Sequence, residues 1–321
     1  MKKSLLALAV LGAFAGAASA QSSVTLYGKL DLGFAKAAGS ADKQVADGSS
    51  SRVGFRGVED LGGGLKAMFQ FEHRFNPDTG TVTNAAFWHG ISTVGLGGSF
   101  GTVNLGRQYT AAFSLATNVI DPFGGDTVAG LRGESLTAKY KKVGATASTD
   151  LARLRTENSV RYDGAFGGLK VAADIAETPA GGVDRPYSVA AQYAAGPFMV
   201  AASYDNPTGA NDNLTTLGGS YTFGPAKVSL GLGRGKTDEA SSRTVKQALA
   251  GVTVSVGAAG QVLAGYAQQE VGTDDATKKV SLGYRHNLSK RTQLYTDVTR
   301  VNDLLSKTEK TGYDFGVIHT F

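Results

Sequence analysis

The sequence predicts an all-β fold: a 16-stranded antiparallel transmembrane β-barrel with one long loop folded into its bore. Apolar and polar residues alternate along almost the whole chain after residue 20, which is the period of a β-strand with two different faces. Short Gly-rich turns interleave with longer polar loops between these segments. A single connection, at about residues 108–152, lacks the alternation.

The first 20 residues have the composition of a secretory signal peptide. Lys2 and Lys3 form a cationic start, residues 5–17 are apolar and small, and residues 18–20 (ASA) form an A-x-A cleavage site before Gln21. The apolar run is too short to span a membrane as a helix. We therefore expect an exported chain in which residues 21–321 form one β-barrel domain.

Composition and charge exclude several classes of protein. No run of about 20 apolar residues follows the predicted cleavage site, which argues against a helical membrane protein. The chain has no Cys, so an exported protein would be stabilised without disulfides. Removing Lys2 and Lys3 from the 32 basic residues leaves 30 against 27 acidic residues, a net charge of +3 without a long basic tract. Nucleic-acid binding is therefore not expected.

The first three strands show the two faces clearly. In the first, Val24, Leu26 and Leu30 share one face and Tyr27 and Lys29 lie on the other. After a polar loop at residues 37–50, residues 52–56 (RVGFR) alternate again, and the Gly-rich segment 59–64 reverses the chain. The third strand alternates most regularly, with Leu65, Ala67, Phe69, Phe71, His73 and Phe75 opposite Lys66, Met68, Gln70, Glu72 and Arg74.

The same pattern continues to the end of the chain. It is clear in residues 169–175, 187–193, 198–205, 216–223, 227–232 and 279–285, and it is weaker in residues 85–96, 245–256 and 260–270. Short turns are predicted at residues 60–64, 97–99, 164–168, 195–197, 224–225, 257–260 and 287–290. Longer loops are predicted at residues 37–50, 76–84, 108–152, 178–185, 206–212, 236–242, 271–277 and 302–310.

Seven short turns and eight long loops imply 16 strands, with all short turns on one rim, as in outer-membrane barrels. Closure removes the two sheet edges and satisfies every backbone polar group in lipid. A barrel of this size encloses water. We therefore expect the polar faces to line the bore, with residues Lys29, Lys66, Gln70, Glu72, Lys170, Asp174, Lys227, Lys279 and Arg285. Aromatic residues near strand ends fit interfacial girdles, with Tyr27, Phe75, Tyr187, Tyr193, Tyr204, Phe223 and Tyr313 as candidates.

Motifs of catalytic, nucleotide or metal sites are weak. Residues 97–101 (GGSFG) fit G-x-S-x-G but lie in a turn between strands, whereas a nucleophile elbow precedes a helix. Residues 235–237 (GKT) resemble the end of a phosphate loop, yet Leu230 stands where its first Gly is required. The four His are scattered, and there is no H-E-x-x-H motif. We expect no enzyme activity, no cofactor and no metal site.

Several segments together carry a family resemblance that covers the whole chain. They are residues 23–28 (SVTLYG), 51–62 (SRVGFRGVEDLG), 100–109 (FGTVNLGRQY) and 158–162 (NSVRY). In combination they resemble the trimeric general diffusion porins of Gram-negative bacteria, most closely the betaproteobacterial branch. The last strand, residues 312–321, ends on Phe321 with apolar or aromatic residues at alternate positions, and it resembles the C-terminal assembly signal of outer-membrane barrels.

The resemblance implies a homotrimer in the outer membrane, in contact with lipid and lipopolysaccharide and inserted by the barrel assembly machinery. Each barrel would carry small hydrophilic solutes and ions by passive diffusion. In the family, the third extracellular loop narrows the bore, and basic wall residues face loop acids. By motif position, the first wall candidates are Arg52, Arg107 and Arg161, and the second-rank wall candidates are Lys29, Arg56 and Arg74. The candidate loop acids are Asp121, Asp126 and Glu134.

Basic residues predominate at these wall positions, which predicts a weak preference for anions. Two alternatives stay open at this stage: a substrate-specific outer-membrane channel, and a non-conducting structural or surface-binding barrel. Residues 136–152, with Lys139, Lys141 and Lys142, look longer than the usual third loop.

Overall fold

A computed structural model describes residues 23–134, 136, 139–141, 148–303 and 308–321, so the predicted signal peptide lies outside the described part. Within these residues, sixteen long strands form one antiparallel sheet whose first and last strands pair, which closes the barrel. The strands are β1 (Ser23–Lys36), β2 (Arg52–Gly62), β3 (Leu65–Asn76), β4 (Ile91–Gly98), β5 (Gly101–Tyr109), β6 (Arg155–Phe166), β7 (Leu169–Ala176), β8 (Tyr187–Ala195), β9 (Phe198–Asn206), β10 (Asn213–Phe223), β11 (Ala226–Lys236), β12 (Thr244–Val256), β13 (Gly260–Val271), β14 (Asp274–Asn287), β15 (Thr292–Asp303) and β16 (Thr308–Thr320). The predicted 16-stranded barrel is confirmed.

Closure brings the two ends of the described chain together. The register of β1 and β16 runs from Lys29 opposite Thr320 to Lys36 opposite Tyr313. Beyond β16, the Phe321 N–H donates to the Gly28 carbonyl at 3.1 Å, and the Gly28 N–H donates to the Phe321 carbonyl at 3.0 Å. The terminal residue therefore takes part in the closing ladder.

The two faces of the wall follow the alternation read from the sequence. Val24, Leu26 and Leu30 of β1 are exposed on the outer face, whereas the intervening Asp31 is buried on the inner face. Residues directly opposite each other in neighbouring strands share a face, because the sheet is antiparallel and in register. The outer face is the apolar one and contacts lipid, and the inner face carries the polar residues. Tyr27 lies on the inner face with Lys29, as the alternation predicts, so its assignment to the interfacial girdle was wrong. Its hydroxyl donates to Glu72 at 3.3 Å and accepts from Gln70 at 2.6 Å.

Two loop lengths differ from the prediction. The connection expected at residues 76–84 continues to residue 90, with a short strand at Thr81–Val82, because β4 begins only at Ile91. The connection expected at residues 271–277 shrinks to residues 272–273 between β13 and β14. Gly272 has φ +70°, a conformation that glycine adopts without strain and that permits this tight turn.

The long connection runs from residue 110 to 154 between β5 and β6, two residues later than predicted at each end; we call it the inner loop. It contains a π-helical turn (Phe113–Thr117), a short α-helix (Asn118–Ile120), a 3-10 turn (Arg132–Glu134) and two paired short strands (Lys139–Lys141 and Ser148–Asp150). No helix in the described residues is long and apolar enough to cross a membrane.

The apolar core lies between the inner loop and one side of the wall. Loop and wall residues pack in two buried clusters, the first made of Ile120, Phe123, Ala129, Leu131, Leu136, Leu249, Leu263 and Ala267, and the second of Leu151, Ala152, Leu214, Val245 and Val271. Glycines on the wall allow the loop to pack closely against it. A Cβ on Gly218 would overlap Ile120, and one on Gly251 would lie 2.6 Å from Pro122. A further, smaller cluster joins Ala111 of the loop to Ala172 of β7 and Ala190 of β8. The loop therefore occupies the β7–β14 side of the bore and leaves the β1–β6 side open.

Candidate pore constriction

Neighbouring strands place a row of cations on the open side of the bore. Lys29 of β1 lies opposite Arg52 of β2, and Arg52 lies opposite Arg74 of β3. All three share the inner face, because Lys29 is two residues from buried Asp31 in β1 and Arg52 and Arg74 are its successive cross-strand partners. Two rows nearer the short-turn rim, beyond Gly54, Arg56 is exposed to the lumen, and its guanidinium lies 5.4 Å from the ring centre of Tyr27.

Arg52 and Arg56 are the less constrained of these cations. Arg52 Nη2 donates to the Ser49 carbonyl at 3.2 Å, and its Nε is buried without an acceptor. The exposed Arg56 side chain lines a cavity of about 510 Å³ together with Gln70, Asn104 and Arg161. These positions carry charge that a passing ion can approach.

Tyr109, at the end of β5, gathers two arginines at the point where the inner loop starts. Its hydroxyl accepts hydrogen bonds from Arg74 Nη2 at 2.6 Å and from Arg155 Nη2 at 2.8 Å. The Arg155 guanidinium also lies 4.3 Å from the centre of the Tyr109 ring. Arg74 is further held by Glu72, with its Nε 2.9 Å from the carboxylate. Arg155 thus joins the cation row, although the sequence analysis did not select it.

Arg161 faces the bore but is engaged at the root of the inner loop. Its Nη1 donates to the Tyr109 carbonyl at 2.6 Å and to Ser114 Oγ at 2.8 Å, and its Nε donates to Asp163 at 2.9 Å. Only 7% of the residue is exposed. Arg161 therefore contributes charge to the wall while it fixes the start of the loop.

Arg107 lies outside the bore, which corrects its assignment to the pore wall. It has the parity of Leu105, which is 49% exposed on the outer face, and it lies opposite Ser92. A β-bulge in β6 places Glu157 beside it, and the two form an ion pair. Arg107 Nε also donates to the His89 carbonyl at 2.6 Å. The inner face of β5 is formed instead by Thr102 and Asn104.

The two predicted loop acids whose side chains are described, Asp126 and Asp121, have different environments. Asp126 is 43% exposed and lies 3.4 Å from Lys29 Nζ, so the loop tip reaches the wall at this ion pair. Glu134 ends the 3-10 turn, and its side chain lies outside the described part of the structure.

Asp121 was predicted to face the pore, and this was wrong. Its carboxylate is turned into the loop, and the residue is only 5% exposed. It accepts hydrogen bonds from the backbone N–H groups of Phe123 at 2.9 Å, Leu131 at 2.8 Å and Arg132 at 2.7 Å. Burial raises the pKa of Asp121 above its ordinary value, and these N–H groups oppose the shift. Asp121 organises the loop and does not line the pore.

The loop also carries a buried cation that the sequence analysis did not select. Arg132 donates to the Gly124 carbonyl at 2.7 Å and to the Asn118 side chain, and its guanidinium lies 4.8 Å from the centre of the Phe113 ring. Burial lowers the pKa of Arg132, and the nearby Asp121 opposes this shift. Arg132 therefore joins the two limbs of the loop.

Acids on the barrel wall hold the loop in place. The Ala111 N–H donates to Asp174 at 2.6 Å, and the Val128 N–H donates to Asp314 at 2.9 Å. Thr127 Oγ1 donates to Asp297 at 2.6 Å, and Arg153 pairs with Asp205 at 2.7 Å. These inward-facing carboxylates are buried beneath the loop and do not face the open lumen.

The open side of the bore is therefore lined by what we call the basic arc. Its acids are each engaged by a cation of the arc: Glu72 by Arg74, Asp126 by Lys29, and Asp163 by Arg161. Such a surface concentrates anions in a narrow passage between low-dielectric walls. The arc consists of Lys29, Arg52, Arg56, Arg74, Arg155 and Arg161.

A family profile described as Gram-negative porin matches residues 7–304. The chain belongs to the Gram-negative porin family. Outer membrane porin protein 32 of Delftia acidovorans is 36% identical over 317 residues, covering 92% of this chain and 88% of that protein. An outer membrane porin protein of Bordetella pertussis is 28% identical, and the alignment covers 100% of both.

Solved structures agree with this membership. The structure of the anion-selective porin from Comamonas acidovorans superposes with a TM-score of 0.75 at 28% identity, covering 94% of this chain and all of that one. OmpF of Salmonella typhi, in complex with daunomycin, superposes with a TM-score of 0.70 at 15% identity, which shows the fold alone. The protein is thus an outer-membrane channel, in which small hydrophilic solutes and ions diffuse through a water-filled bore.

Two members of the constriction were missed for a common reason. Arg155 and Arg132 reach their places through Tyr109 and through the two limbs of the loop, which are contacts between segments distant in sequence. Period-two alternation shows which face of a strand a residue occupies, but it carries no information about such contacts. The sequence did contain one signal for Arg155: several Arg residues flank the long connection.

Proposed function

We propose that this porin prefers anions weakly, and that the basic arc sets the preference. The observation that carries the proposal is the asymmetry of the lumen. The open side carries six cations, of which Arg52 and Arg56 are the least constrained, against three acids, while Asp174, Asp205, Asp297 and Asp314 are covered by the inner loop. Rings of like charge at a narrow point bias which ions enter. The anion-selective porin from Comamonas acidovorans, similar in fold and sequence, supports the sign.

Planar-bilayer recordings under a salt gradient test this proposal. For the wild-type porin we expect a reversal potential on the anion-selective side. Replacing both Arg52 and Arg56 with Ser should lower the anion-to-cation permeability ratio several-fold, since both side chains reach the lumen. Arg107→Ser is a control of the same chemistry on the outer face and should leave the ratio unchanged. Equal effects of the two changes would overturn the assignment.

Solute block separates this function from a substrate-specific channel. A general diffusion channel conducts small anions of different chemistry in proportion to their size and charge. Single-channel currents should therefore show no saturable block by any one class of solute. Block by one class at low concentration would instead identify a specific channel.

We further propose that the porin works as a homotrimer and that it is processed after Ala20. Support for the trimer comes from the family resemblance and from large apolar residues on the outer face of β1–β5, which include Leu26, Phe55 and Leu96. Conductance steps in threes and the mass of the native complex test the oligomer. Mass spectrometry of the mature chain tests the cleavage site.

The carboxyl-terminal Phe321 is proposed as the signal recognised by the barrel assembly machinery. It is exposed, and its backbone completes the pairing of β16 with Gly28. Removing Phe321 should reduce the amount of folded porin in the outer membrane without changing synthesis of the chain. Unchanged assembly of the truncated chain would refute this role.

A further inference from the structure

Tyr109 is held in place by both the wall and the root of the inner loop. It lies opposite Arg155 in the β5–β6 ladder, and its carbonyl accepts a hydrogen bond from Arg161 Nη1 at 2.6 Å. Its ring stacks on Phe113, the first residue of the π-helical turn, with the ring centres 4.8 Å apart and the ring planes 18° apart. The phenol hydroxyl therefore has a fixed position, which the wall and the loop determine together.

A guanidinium lies against each ring of this aromatic pair. Arg155 lies 4.3 Å from the centre of the Tyr109 ring, and Arg132 lies 4.8 Å from the centre of the Phe113 ring. A ring face that is covered by another ring leaves no room for a guanidinium, so the two cations lie at the ends of a four-layer stack. The stack joins a cation of the wall to the interior of the inner loop.

Tyr109 is the residue that holds the Arg155 side chain. Within the described part of the chain, the Arg155 guanidinium makes one hydrogen bond, from Nη2 to the Tyr109 hydroxyl at 2.8 Å, and it forms no ion pair. Its Nε is buried without an acceptor. Arg74, which donates to the same hydroxyl at 2.6 Å, has a second partner in Glu72. Loss of the hydroxyl would therefore release Arg155 and leave Arg74 engaged.

The chemistry of the acceptor determines how much of a bound cation's charge reaches the bore. Three cations of the basic arc, Lys29, Arg74 and Arg161, each pair with an acid. A carboxylate fixes a guanidinium but also opposes its field, because the two charges have opposite sign. A phenol hydroxyl accepts the same hydrogen bond and carries no net charge. Arg155 is therefore fixed without an ion-pair partner that would offset its charge.

We propose that Tyr109 is a positioning residue of the constriction, which strengthens the anion preference by holding Arg155 beside the bore. The proposal rests on the proposed function and deepens it, since it names the residue that fixes one of the charges responsible. Without the hydroxyl, the Arg155 side chain regains rotamer freedom, and its charge spreads away from this position. The ion preference then depends on where the cations of the arc are held, as well as on their number.

A double-mutant cycle in planar bilayers tests the proposal, with Tyr109→Phe, Arg155→Ser and the two changes combined in the purified porin. Tyr109→Phe removes the hydroxyl and keeps the ring of the stack. At about 0.1 M salt, where the Debye length is about 10 Å, it should lower the anion-to-cation permeability ratio by at least half of the logarithmic change that Arg155→Ser causes. In the Arg155→Ser background, Tyr109→Phe should lower the ratio no further, because the cation that it positions is absent.

Single-channel conductance at about 1 M salt separates positioning from a change in bore width. The Debye length is then about 3 Å, so conductance reports the width of the bore more than its charge. Tyr109→Phe should leave this conductance unchanged. Tyr162→Phe is the matched control, because it removes a phenol hydroxyl from the outer face, where that hydroxyl donates to the Phe100 carbonyl at 2.7 Å. It should change neither the conductance nor the permeability ratio.

Three outcomes would overturn the proposal. An equal fall of the ratio in both backgrounds would show that Tyr109 acts through a group other than Arg155. A changed conductance of Tyr109→Phe at 1 M salt would show that the bore itself has altered, and an unchanged ratio of the folded variant would show that the hydroxyl has no role.

Failure of the proposed anion preference would be seen separately, as a cation-selective reversal potential of the wild type. The coupling between Tyr109 and Arg155 is a difference between permeability ratios, so the cycle measures it for either sign of the wild-type preference.

Discussion

Neutralising the loop tip gives a direct test of how charge at the constriction acts. Asp126 is an exposed acid of the inner loop, and its carboxylate lies 3.4 Å from Lys29 Nζ. Asp126→Asn keeps the shape of the side chain, removes one negative charge and leaves Lys29 without its ion-pair partner. We therefore expect anion preference to increase.

The size of the effect follows from the distance between charges. Two unit charges 4 Å apart interact by about 1 kcal/mol in water, and an energy of about 1.4 kcal/mol changes an equilibrium constant tenfold. The occupancy of a passing monovalent anion should therefore change by a factor of about five at most. The Debye length falls from about 10 Å at 0.1 M salt to about 3 Å at 1 M. We expect the chloride-to-potassium permeability ratio to rise about two- to fivefold at 0.1 M and less at 1 M, if Coulomb interaction is the cause.

The assay is the reversal potential in planar bilayers at the two salt concentrations. Asp121→Asn is the matched control, because it makes the same chemical change in the same loop at a buried site. An amide there replaces an acceptor of three N–H groups with a group that also donates, so we expect a less ordered loop and noisier conductance, without the same salt-dependent rise in anion preference. An unchanged ratio in Asp126→Asn, or a shift towards cations, would refute the reasoning.

Three further changes probe the loop, its root and the neighbouring connection. Arg155→Ser should lower the anion-to-cation permeability ratio, because it removes one charge while Tyr109 still accepts a hydrogen bond from Arg74. The reversal potential measures this ratio. Gly218→Val should push the loop into the lumen, lower single-channel conductance and cost about 1–3 kcal/mol of stability, as seen by thermal unfolding. His89 has a pKa lowered by burial, so its neutral form stabilises residues 77–90, and this contribution is lost as the pH falls below the ordinary histidine value of 6.5. Hydrogen-exchange protection of this segment, corrected for the intrinsic exchange rate at each pH, should decrease between pH 7 and pH 5, and His89→Gln should remove that dependence.

Much of the barrel could be predicted because a membrane-spanning sheet imposes period two on its sequence. The row of Lys29, Arg52 and Arg74 follows from parity and register alone. The same rule could have excluded Arg107, since Val103 and Leu105 share its parity and are apolar. Motif position placed Arg107 on the wall, whereas alternation places it outside.

The interior of the inner loop could not be predicted in this way. Asp121, Asp126 and Glu134 are equivalent as acids in a sequence, yet three backbone N–H groups turn Asp121 inward, while Asp126 stays exposed beside Lys29. These environments depend on contacts between the limbs of the loop. Alternation cannot predict such contacts. It reports which face of a regular strand a residue occupies, and the loop has no repeating backbone geometry.

The position of the loop and the charge of the lumen have a common cause. The wall acids Asp174, Asp297 and Asp314 accept hydrogen bonds from the loop and are buried by it. The loop therefore buries these acids, Asp297 together with its partner Arg285, at the same time as it narrows the water-filled passage. The cations of the basic arc lie on the opposite side, where Arg56 and Arg52 stay accessible beside the loop contacts of Lys29 and Arg161, so the passage that remains is positive. A loop released from these acids would widen the bore and weaken the anion preference together.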